Sequence, residues 1–472
     1  MSTWQEFYSA IRDPSWPDCD QEEDFDLLPK NIQKECCTVF GYQPGQFRKT
    51  SKLINRAFPI KTATTCQLKW NWSTVFLTTA RTASCHRSDH HSFDPDLFDF
   101  HNTPSKLQDR QRMLNGEWPK QGCNYCQDIE QAGGQSDRIT NLDFPGIHAP
   151  IELDSDPQAT RVTPRILEVY FDNTCNLKCL YCGPHFSSLW DAENTKYGTF
   201  SRGELFIPGA WYKNPDMESH KQKLFNWLKQ NVHNLTVFNI LGGEPLYQDE
   251  LDQCLDLFEQ YPAPELKLQI FTNLNARLPR LKKIVERVHD LIDRDHLREF
   301  EITASLDCWG PAQEYVRYPL DLTVWEENFN YLLDQKWINL IVSSTVTPLT
   351  IKTLPDLLEK IASWNQQRPI YHYQNSVNSP DYMFIDIFGD IFVDDFNNAL
   401  AFKPVDTPEQ RSSRDYLAGI AKQSAGTPKP AMVLKLFDFL NEMDRRRSTS
   451  WAKTFPWLID EFKKYDLTAD QN

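Results

Sequence analysis

The sequence has little glycine, no long apolar run and no excess of positive charge. Glycine makes up only 17 of the 472 residues, and no internal repeat or low-complexity tract is present, so function is expected to come from local motifs. No run of about 18 uninterrupted apolar residues appears, which excludes a predicted membrane-spanning helix. The opening segment lacks the basic and apolar regions of a secretion signal. We therefore predict a cytoplasmic protein with no membrane partner.

The charge balance is acidic, with 50 Lys and Arg against 65 Asp and Glu and a formal net charge of −15. This balance argues against general nucleic-acid binding, because a phosphate backbone requires a basic surface. Hydrophobic residues make up 40% of the chain and aromatic residues 13%, which supplies large cores and excludes wholesale disorder. The length suits two or three domains of about 100–200 residues each.

Twelve cysteines are the main chemical signal. A chain of this size is not a small disulfide-bonded scaffold, and cytosolic thiols stay reduced. Metal ligands or reactive thiols are therefore the expected roles, and the spacing between the cysteines becomes informative.

From Arg165 onward, short β-rich runs alternate with helical stretches, which is typical of a parallel α/β architecture. Six or seven strands are predicted, at Ile166–Phe171, Val237–Leu241, Leu266–Thr272, Phe300–Ser305, Ile338–Val346, Ile370–Tyr373 and Met383–Phe388. Helices are predicted between them, at Ser219–Val232, Asp249–Gln260, Arg277–Asp293, Leu322–Gln335 and Leu354–Trp364. This order indicates a TIM-like parallel barrel or part of one, with its chemistry at the carboxyl ends of the strands.

Four regions are predicted: 1–60 of unknown role, 61–145 rich in cysteine, 160–395 forming the barrel, and 396–472 as a helical extension. Short helices are predicted near Trp4–Arg12 and Leu28–Cys37, and they indicate no chemistry. The second region is irregular apart from a helix predicted at Ser105–Asn115, so we expect a metal or cluster to organise it. In the last region, Ala431–Tyr465 predicts two packing helices with a basic turn at Arg445–Arg447.

The sharpest motif places Cys175, Cys179 and Cys182 on one loop directly after a predicted strand, with three and then two residues between them. Three thiolates at this spacing can hold three irons of a cubane and leave the fourth iron open. A zinc site is the alternative, with His185 as the fourth ligand.

This loop resembles the fingerprint of the radical S-adenosylmethionine superfamily, in which an aromatic residue, here Tyr181, precedes the last cysteine. A second match, Gly242-Gly243-Glu244-Pro245, follows the next predicted strand. Taken alone it would be a tight turn. The resemblance implies a [4Fe-4S] cluster and bound S-adenosylmethionine, whose amino group the glycine turn binds through close backbone approach and a carboxylate.

By the same resemblance, Asn273, Ser305 and Arg317 contact the ribose or carboxylate of S-adenosylmethionine, although each is equally consistent with a capping or turn residue. Cys308 lies where a strand end faces the barrel mouth, and its thiol is a candidate hydrogen-atom donor. The alternative for Cys308 is a buried small hydrophobe.

A CxxC pair, Cys123 and Cys126, lies within Asn115–Arg138, which resembles the segment of twitch-type radical enzymes that binds a second iron–sulfur cluster. With Cys66 and Cys85 the number of thiols reaches four, as a cubane or a structural zinc requires. SPASM enzymes place such ligands after the barrel, whereas no cysteine follows Cys308 here. An auxiliary iron–sulfur cluster, zinc or no metal therefore remain alternatives. The resemblance as a whole implies a partial (β/α)6 TIM-like radical SAM barrel with an irregular Cys-rich N-terminal auxiliary region and a C-terminal helical extension.

Other polar features are given structural interpretations. Cys19, Cys36, Cys37 and Cys254 are predicted to be structural, the histidines of His86–His91 to lie in a surface loop, and Arg445–Arg447 to form a solvated face.

The activity implied by the resemblance is reductive cleavage of S-adenosylmethionine to a 5′-deoxyadenosyl radical that abstracts a substrate hydrogen, with flavodoxin or ferredoxin as electron donor. The first-choice substrate is a ribosomally synthesised peptide, modified by epimerisation, crosslinking or excision. Alternatives are a small molecule, such as a sugar, nucleoside or amino acid, and a non-catalytic zinc-stabilised binding protein. Cys308 as donor would favour epimerisation, and a complete auxiliary cluster would favour net oxidation.

Overall fold

A computed structural model describes residues 64, 66–85, 88–119, 122–131, 136, 138, 160–200, 216–377, 379–402, 408–424 and 426–468. The helices predicted near Trp4–Arg12 and Leu28–Cys37, together with Cys19, Cys36 and Cys37, lie outside the described residues. The chain divides into two compact units, the first made of Met1–Val169 with Asp216–Asn239 and the second of Tyr170–Pro215 with Ile240–Asn472. The division into four regions stays a prediction.

The strands are β1 Trp72–Phe76, β2 Arg81–Ala83, β3 His91–Ser92, β4 Ile166–Tyr170, β5 Val237–Leu241, β6 Ala263–Thr272, β7 Leu297–Ser305, β8 Asn339–Val346 and β9 Tyr371–Ser376. The α-helices are α1 Gln67–Asn71, α2 Pro104–Leu114, α3 Asn124–Gln131, α4 Ser188–Tyr197, α5 Met217–Asn231, α6 Asp249–Gln260, α7 Leu278–Asp293, α8 Pro311–Val316, α9 Leu322–Asp334, α10 Leu354–Asn365, α11 Val393–Ala401, α12 Pro408–Ser424, α13 Pro430–Arg447, α14 Trp451–Thr454 and α15 Trp457–Lys463.

In the first unit, β1 and β2 are antiparallel, with Thr74 opposite Ala83, and β2 and β3 are antiparallel, with Arg81 opposite Ser92. Helix α2 begins at Pro104, where the side chain of Thr103 accepts a hydrogen bond from the amide of Lys106. This cap fixes the start of α2. The helix predicted at Ser105–Asn115 is thus confirmed to within one residue at each end.

In the second unit, strands β6, β7, β8 and β9 are parallel neighbours in that order. Helices α7, α9 and α10 lie between them in sequence, as the alternating pattern predicted. Their apolar positions recur at helical spacing, and in α7 the buried face is Leu281, Ile284, Val285, Val288 and Leu291. The parallel α/β architecture is thus confirmed, whereas closure into a partial (β/α)6 barrel stays a prediction.

One predicted strand is wrong. The segment Met383–Phe388 begins at the last residue of a short 3-10 helix, Asp381–Met383, and continues in turns. The amide of Phe384 donates to the carbonyl of Asp381. Its apolar side chains are buried by packing and not by strand pairing, because a short apolar run has no period that separates the two cases.

The C-terminal segment forms three helices, α13 to α15, and not the predicted two. The break falls at Pro456, which has no amide hydrogen to continue the preceding helix. No helix within the described part of the chain is both long and apolar enough to cross a membrane.

Candidate functional site

The cysteine loop, residues 175–182, belongs to the second unit and follows β4 in the sequence. Cys179 is buried, and Cys175 and Cys182 are half-buried. The amide of Cys182 donates to the carbonyl of Cys179 at 3.0 Å, and the same carbonyl accepts the indole N–H of Trp190 at 2.7 Å. Trp190 lies in the first turn of helix α4, where its amide donates to the capping side chain of Ser187. The loop and helix α4 therefore hold one another in place.

A second segment fixes the middle of the cysteine loop. The amide of Lys178 donates to the carbonyl of Tyr318 at 2.7 Å, and the amide of Leu180 donates to the carbonyl of Val316 at 2.8 Å. Both acceptors lie at the end of α8, so the residues between the cysteines have a defined backbone path.

The three thiols share one electrostatic environment. Burial, with the charge of Cys179, raises the pKa of Cys182 to about 12. Burial, Cys179 and Glu244 raise the pKa of Cys175 above its usual range. Deprotonating all three thiols would bring three negative charges together where little water solvates them. The thiolates therefore require a cationic partner. A donor set of one buried and two half-buried thiols fits an iron–sulfur cluster, whose irons supply that positive charge.

The glycine turn, residues 242–245, follows β5 and packs against the start of the cysteine loop. Gly242 and Gly243 have φ angles of 81° and 60°. A Cβ at Gly242 would lie 2.5 Å from the ring of Tyr170, and one at Gly243 would lie 2.3 Å from the carbonyl oxygen of Thr174. Only glycine permits this approach, because both the backbone angle and the space exclude a side chain.

Glu244 is fully buried and ties the turn to the end of β6. Its carboxylate accepts from the hydroxyl of Thr272 at 2.6 Å, the amide of Asn273 at 2.6 Å and the amide of Leu246 at 3.1 Å. Its own amide donates to the carbonyl of Thr174 at 2.8 Å. Burial outweighs these hydrogen bonds and raises the pKa of Glu244 to about 7.

Asn273 connects the end of β6 to the first cysteine. Its side-chain nitrogen lies 3.8 Å from the sulfur of Cys175 and donates to the side chain of Asn176 at 2.7 Å. Its side-chain oxygen accepts from the amide of Asn275 at 2.9 Å. The structure therefore brings this predicted residue to the cysteine loop.

Arg317 forms a buried bidentate ion pair with Asp307, with both nitrogen–oxygen distances 2.8 Å. The same carboxylate accepts from the hydroxyl of Tyr181 at 2.6 Å and from the amide of Thr345 at 2.9 Å. Burial lowers the pKa of Arg317, but Asp307, Tyr181 and Cys179 together outweigh burial and raise the pKa above its usual range. Arg317 also acts electrostatically on Cys179. Two of the predicted residues, Tyr181 and Arg317, thus meet at Asp307.

Ser305, which was predicted to contact S-adenosylmethionine, and Ser344 contact neighbouring residues of the sheet. Ser305 is half-buried at the end of β7. On β8, the hydroxyl of Ser344 donates to the carbonyl of Leu306 at 2.6 Å and lies 2.8 Å from a ring nitrogen of His372. Burial lowers the pKa of His372 to about 3, so this imidazole is neutral.

Cys308 is fully buried, and its sulfur lies 3.7 Å from the side-chain oxygen of Gln313. Burial raises the pKa of this thiol. Its role as a hydrogen-atom donor stays a prediction.

A cavity of about 360 Å³ opens beside the last cysteine of the loop. Apolar and aromatic side chains form most of its wall, and Thr345 and Ser376 contribute hydroxyl groups from the ends of β8 and β9. Cys182 lines this cavity, whereas Cys308 does not belong to its described lining.

A buried ion pair that the sequence analysis missed lies behind the cysteine loop. Arg447 donates to both carboxylate oxygens of Glu193, at 3.2 and 3.0 Å, and Lys178 pairs with the same carboxylate. Arg446, also buried, bonds to Glu442. The prediction of a solvated face at Arg445–Arg447 is therefore wrong for Arg446 and Arg447. The partner of Arg447 is 254 positions away, and that of Arg446 lies one helical turn before it. The three consecutive arginines therefore do not indicate in the sequence that two of them are buried.

In the first unit, three of the four other predicted cysteine ligands share one core cluster, and the charge of the fourth, Cys126, acts on Cys66 and Cys123. Cys66 and Cys123 are buried and share one core cluster with Cys85. Burial and the charges of Cys85, Cys123 and Cys126 raise the pKa of Cys66 above its usual range. Burial raises the pKa of Cys123 to about 11. Four thiols whose ionisations oppose one another fit a site that requires metal cations.

Buried cations surround these thiols. Lys69 bonds to Asp109 at 2.7 Å, and Arg138 pairs with Glu130. Burial lowers the pKa of Lys69, but Cys123 and Asp109 outweigh it and raise the pKa overall. Lys106, also buried, was missed by the sequence analysis. Its signal is its place on α2, where Lys106, Arg110 and Met113 form one buried stripe at spacings of four and three residues.

Among the described residues, no three His, Cys, Asp or Glu side chains converge on a point that would hold a single metal ion. Thiolates of a polynuclear cluster bind separate irons and are not required to converge in this way. Cys254 is fully buried on α6, as expected of a structural cysteine. His90 is exposed and His91 is half-buried, whereas His86 lies outside the described residues.

No family model matches the chain, and no curated protein matches its sequence. Two solved structures are similar in part. The crystal structure of Streptococcus suis SuiB bound to precursor peptide SuiA has 12% identity and a TM-score of 0.32, and the match covers 77% of this chain and 71% of that chain. The crystal structure of Streptococcus suis SuiB has 12% identity and a TM-score of 0.33, with 75% of this chain and 69% of that chain covered. Similarity at this level does not show the activity of this chain.

Proposed function

We propose that the second unit is a radical S-adenosylmethionine enzyme whose cysteine loop holds a [4Fe-4S] cluster. The observation that carries the proposal is the contact between the cysteine loop and the glycine turn. Glu244 of the turn donates its amide to Thr174, the residue before Cys175, and its carboxylate fixes Asn273, which reaches the sulfur of Cys175. Two motifs about sixty residues apart in sequence thus form one continuous site.

Cys175, Cys179 and Cys182 would hold the cluster. When bound, it would supply one electron to the sulfonium of S-adenosylmethionine, giving methionine and a 5′-deoxyadenosyl radical that takes a substrate hydrogen atom and becomes 5′-deoxyadenosine. The parallel strands β6 to β9 would form part of the partial (β/α)6 barrel.

The chain's own residues would orient S-adenosylmethionine. The backbone of Gly242 and Gly243 is open to close approach by the amino group. Since the carboxylate of Glu244 already accepts three hydrogen bonds, it would shape the turn and place negative charge near the ammonium. Asn273, Ser305 and Arg317 would contact the ribose or carboxylate, with Arg317 held in position by Asp307.

The apolar wall of the cavity beside Cys182 would exclude water from the radical step. The backbone bonds from Lys178 and Leu180 to the end of α8 would keep the cysteine loop in position during the reaction.

Cys66, Cys85, Cys123 and Cys126 would hold an auxiliary iron–sulfur cluster in the first unit. Their mutual electrostatic opposition and the buried cations near them support this assignment. Iron, sulfide and zinc counts after anaerobic reconstitution test it together with the cysteine loop. Two cubanes give about eight irons per chain, and Cys179→Ala and Cys123→Ala should each lose about half of them. Cys254→Ala is the matched control and should lose none. Zinc without sulfide would contradict the assignment.

The cysteine loop is tested by electron paramagnetic resonance of the dithionite-reduced Cys123→Ala variant, which isolates this site. Adding S-adenosylmethionine should change the spectrum, because S-adenosylmethionine would bind to the cluster at this loop. An unchanged spectrum at full iron loading would contradict S-adenosylmethionine binding at the loop.

The substrate would be a ribosomally synthesised peptide, and reducing equivalents would come from flavodoxin or ferredoxin. Support comes from the likeness of Asn115–Arg138 to the segment of twitch-type radical enzymes that binds a second iron–sulfur cluster, since that subgroup points first to peptide modification. Short peptides encoded beside this chain should lose two hydrogens on crosslinking or take up deuterium from heavy water on epimerisation. Unaltered peptides alongside continued cleavage of S-adenosylmethionine would favour a small-molecule substrate.

A further inference from the structure

The cavity beside Cys182 has a wall of four aromatic rings that come from separate parts of the second unit. Trp190 lies on α4, Phe200 follows α4, Tyr382 lies between β9 and α11, and Phe439 lies on α13. The centroid of the Phe439 ring lies 5.3 Å from that of Phe200 and 5.0 Å from that of Tyr382. The ring of Trp190 stacks on Phe439 at 6.4 Å. The four rings therefore form one cluster with Phe439 at its centre.

The part of the wall that the structure describes contains no lysine, arginine, aspartate or glutamate. Its imidazole, His185, is neutral at pH 7, because burial lowers the pKa of this side chain. A charged group that entered the cavity would lose its hydration without gaining an opposite charge from these side chains. The cavity therefore favours an uncharged occupant.

Hydroxyl groups interrupt the apolar wall at the ends of two parallel strands. Thr345 lies on β8, Ser376 is the last residue of β9, and both line the cavity. A phenol or an indole combines an aromatic ring with one hydrogen-bonding group, and that group usually finds a partner when it is buried. A wall of rings that also carries hydroxyl groups therefore matches the side chain of tyrosine or tryptophan better than an aliphatic side chain.

The volume of the cavity limits the size of its occupant. At about 360 Å³ it lies near the lower end of the range for small-molecule sites, which is about 300–1,000 Å³. A site of this size holds a group as large as one aromatic side chain and not a longer stretch of peptide.

We propose that this cavity binds the side chain of a tyrosine or tryptophan of the peptide substrate and so selects the residue that is presented to the cysteine loop. This inference rests on the proposed function in assigning a cluster and a peptide substrate to the second unit. Because Cys182 belongs to the wall, the bound ring lies beside the cluster. Contacts with Phe439 and Phe200 stabilise the ring, and the hydroxyl groups of Thr345 and Ser376 bind its polar end.

The test measures binding to the anaerobically reconstituted full chain by saturation-transfer difference nuclear magnetic resonance. Three probes resemble residues within a peptide, namely N-acetyltyrosinamide, N-acetylphenylalaninamide and N-acetylleucinamide, and a fourth, free tyrosine, is a zwitterion. N-acetyltyrosinamide should bind more tightly than each of the others by about threefold or more, since only it combines a ring, a hydroxyl and uncharged ends. Equal binding of N-acetylleucinamide or of free tyrosine would overturn the proposal.

Variants of the aromatic wall locate the probe. Phe439→Leu and the half-buried Phe200→Leu should each weaken binding of N-acetyltyrosinamide by about two- to tenfold, the range for loss of one aromatic pair. Phe437→Leu is the matched control and should leave binding unchanged, because Phe437 also lies on α13 but packs against α14 and α15. Circular dichroism checks that each variant is folded, and Phe200→Leu decides the result if Phe439→Leu does not fold.

The hydroxyl groups are tested separately. A chain with both Thr345→Val and Ser376→Ala should bind N-acetyltyrosinamide about two- to tenfold more weakly and N-acetylphenylalaninamide as the native chain does. An equal loss for both probes, or no loss for either, would contradict a hydrogen bond to the polar end of the ring.

Unchanged binding of N-acetyltyrosinamide in a folded Phe439→Leu or Phe200→Leu chain, or an equal loss in Phe437→Leu, would overturn the proposal. Displacement of the probe by S-adenosylmethionine would also overturn it, because the cavity would then belong to the S-adenosylmethionine site. Failure of the proposed function has a different outcome, in which the chain binds the probe but forms no 5′-deoxyadenosine at full iron loading. Formation of 5′-deoxyadenosine without binding of N-acetyltyrosinamide would overturn this inference alone.

Discussion

Gly243→Ala perturbs the contact between the glycine turn and the cysteine loop without touching a thiol or a titratable group. The added Cβ would lie 2.3 Å from the carbonyl oxygen of Thr174 and 2.6 Å from the side-chain nitrogen of Gln248. The glutamine can swing away, but the carbonyl is backbone. To reach ordinary contact, Thr174 would have to retreat by roughly 1 Å, given the close packing of protein interiors.

This retreat would displace the residue that precedes Cys175. A misplacement of about 1 Å in a reacting group can lower a rate by about 10²-fold. The positive φ of 60° adds about 1 kcal/mol of backbone strain for alanine. We therefore expect Gly243→Ala to form 5′-deoxyadenosine about 100-fold more slowly than the native chain, with a modest loss of thermal stability.

The assay is the anaerobic rate of 5′-deoxyadenosine formation at matched iron content. Gly116→Ala is the control for backbone strain, because its φ is 79° but no atom lies within 4 Å of the added Cβ. Gly419→Ala, on helix α12 with open space around it, controls for the substitution itself. A native rate in Gly243→Ala, or an equal loss in Gly116→Ala, would show that close approach of the glycine turn to Thr174 does not limit the reaction.

Three further predictions concern stability and reactivity. Arg447→Met should lower the free energy of unfolding by about 1.5–3 kcal/mol in urea titrations, because it removes two hydrogen bonds to the buried carboxylate of Glu193 and leaves Lys178 as its charged partner. Glu193→Gln in the same chain should restore part of the loss, and equal instability of the double variant would contradict this. Burial lowers the pKa of His372 to about 3, against about 6.5 in the unfolded chain, so stability is complete above about pH 6.5 and falls by about 1.4 kcal/mol per unit as the pH decreases towards 3. Urea midpoints of His372→Gln should lack this part of the pH dependence, and identical profiles would count against it. In the folded metal-free chain, iodoacetamide should modify the half-buried Cys85 and leave Cys254 and Cys308 unmodified, as measured by mass spectrometry. Burial raises the pKa of the Cys254 and Cys308 thiols and blocks access to them. Modification of Cys308 before unfolding would show that it is accessible.

The local sequence pattern was sufficient to predict strands and helices that position the site. Strand β5 and helix α6 were predicted with their observed bounds, because each is an apolar pattern bounded by turn or capping residues. The cysteine loop and the glycine turn were visible because their spacing is local. Their contact through Thr174 and Asn273 was not visible, since it depends on the ends of different strands meeting.

Charged residues marked the limit of prediction from sequence. Glu193 and Arg447 are 254 positions apart, so nothing near either residue signals that both are buried. Lys106 occupies a position of the buried stripe of α2 where an apolar side chain is expected, and only its hydrogen bonds to β1 and β2 explain it. Such partners are set by tertiary structure, which a one-dimensional pattern does not contain.

The most direct test of the central claim is anaerobic incubation of the reconstituted chain with S-adenosylmethionine and dithionite, followed by quantification of 5′-deoxyadenosine. We expect product from the native chain and from Cys254→Ala, and none from Cys179→Ala. Absence of product from the native chain at full iron and sulfide loading, or equal product from Cys179→Ala, would contradict it.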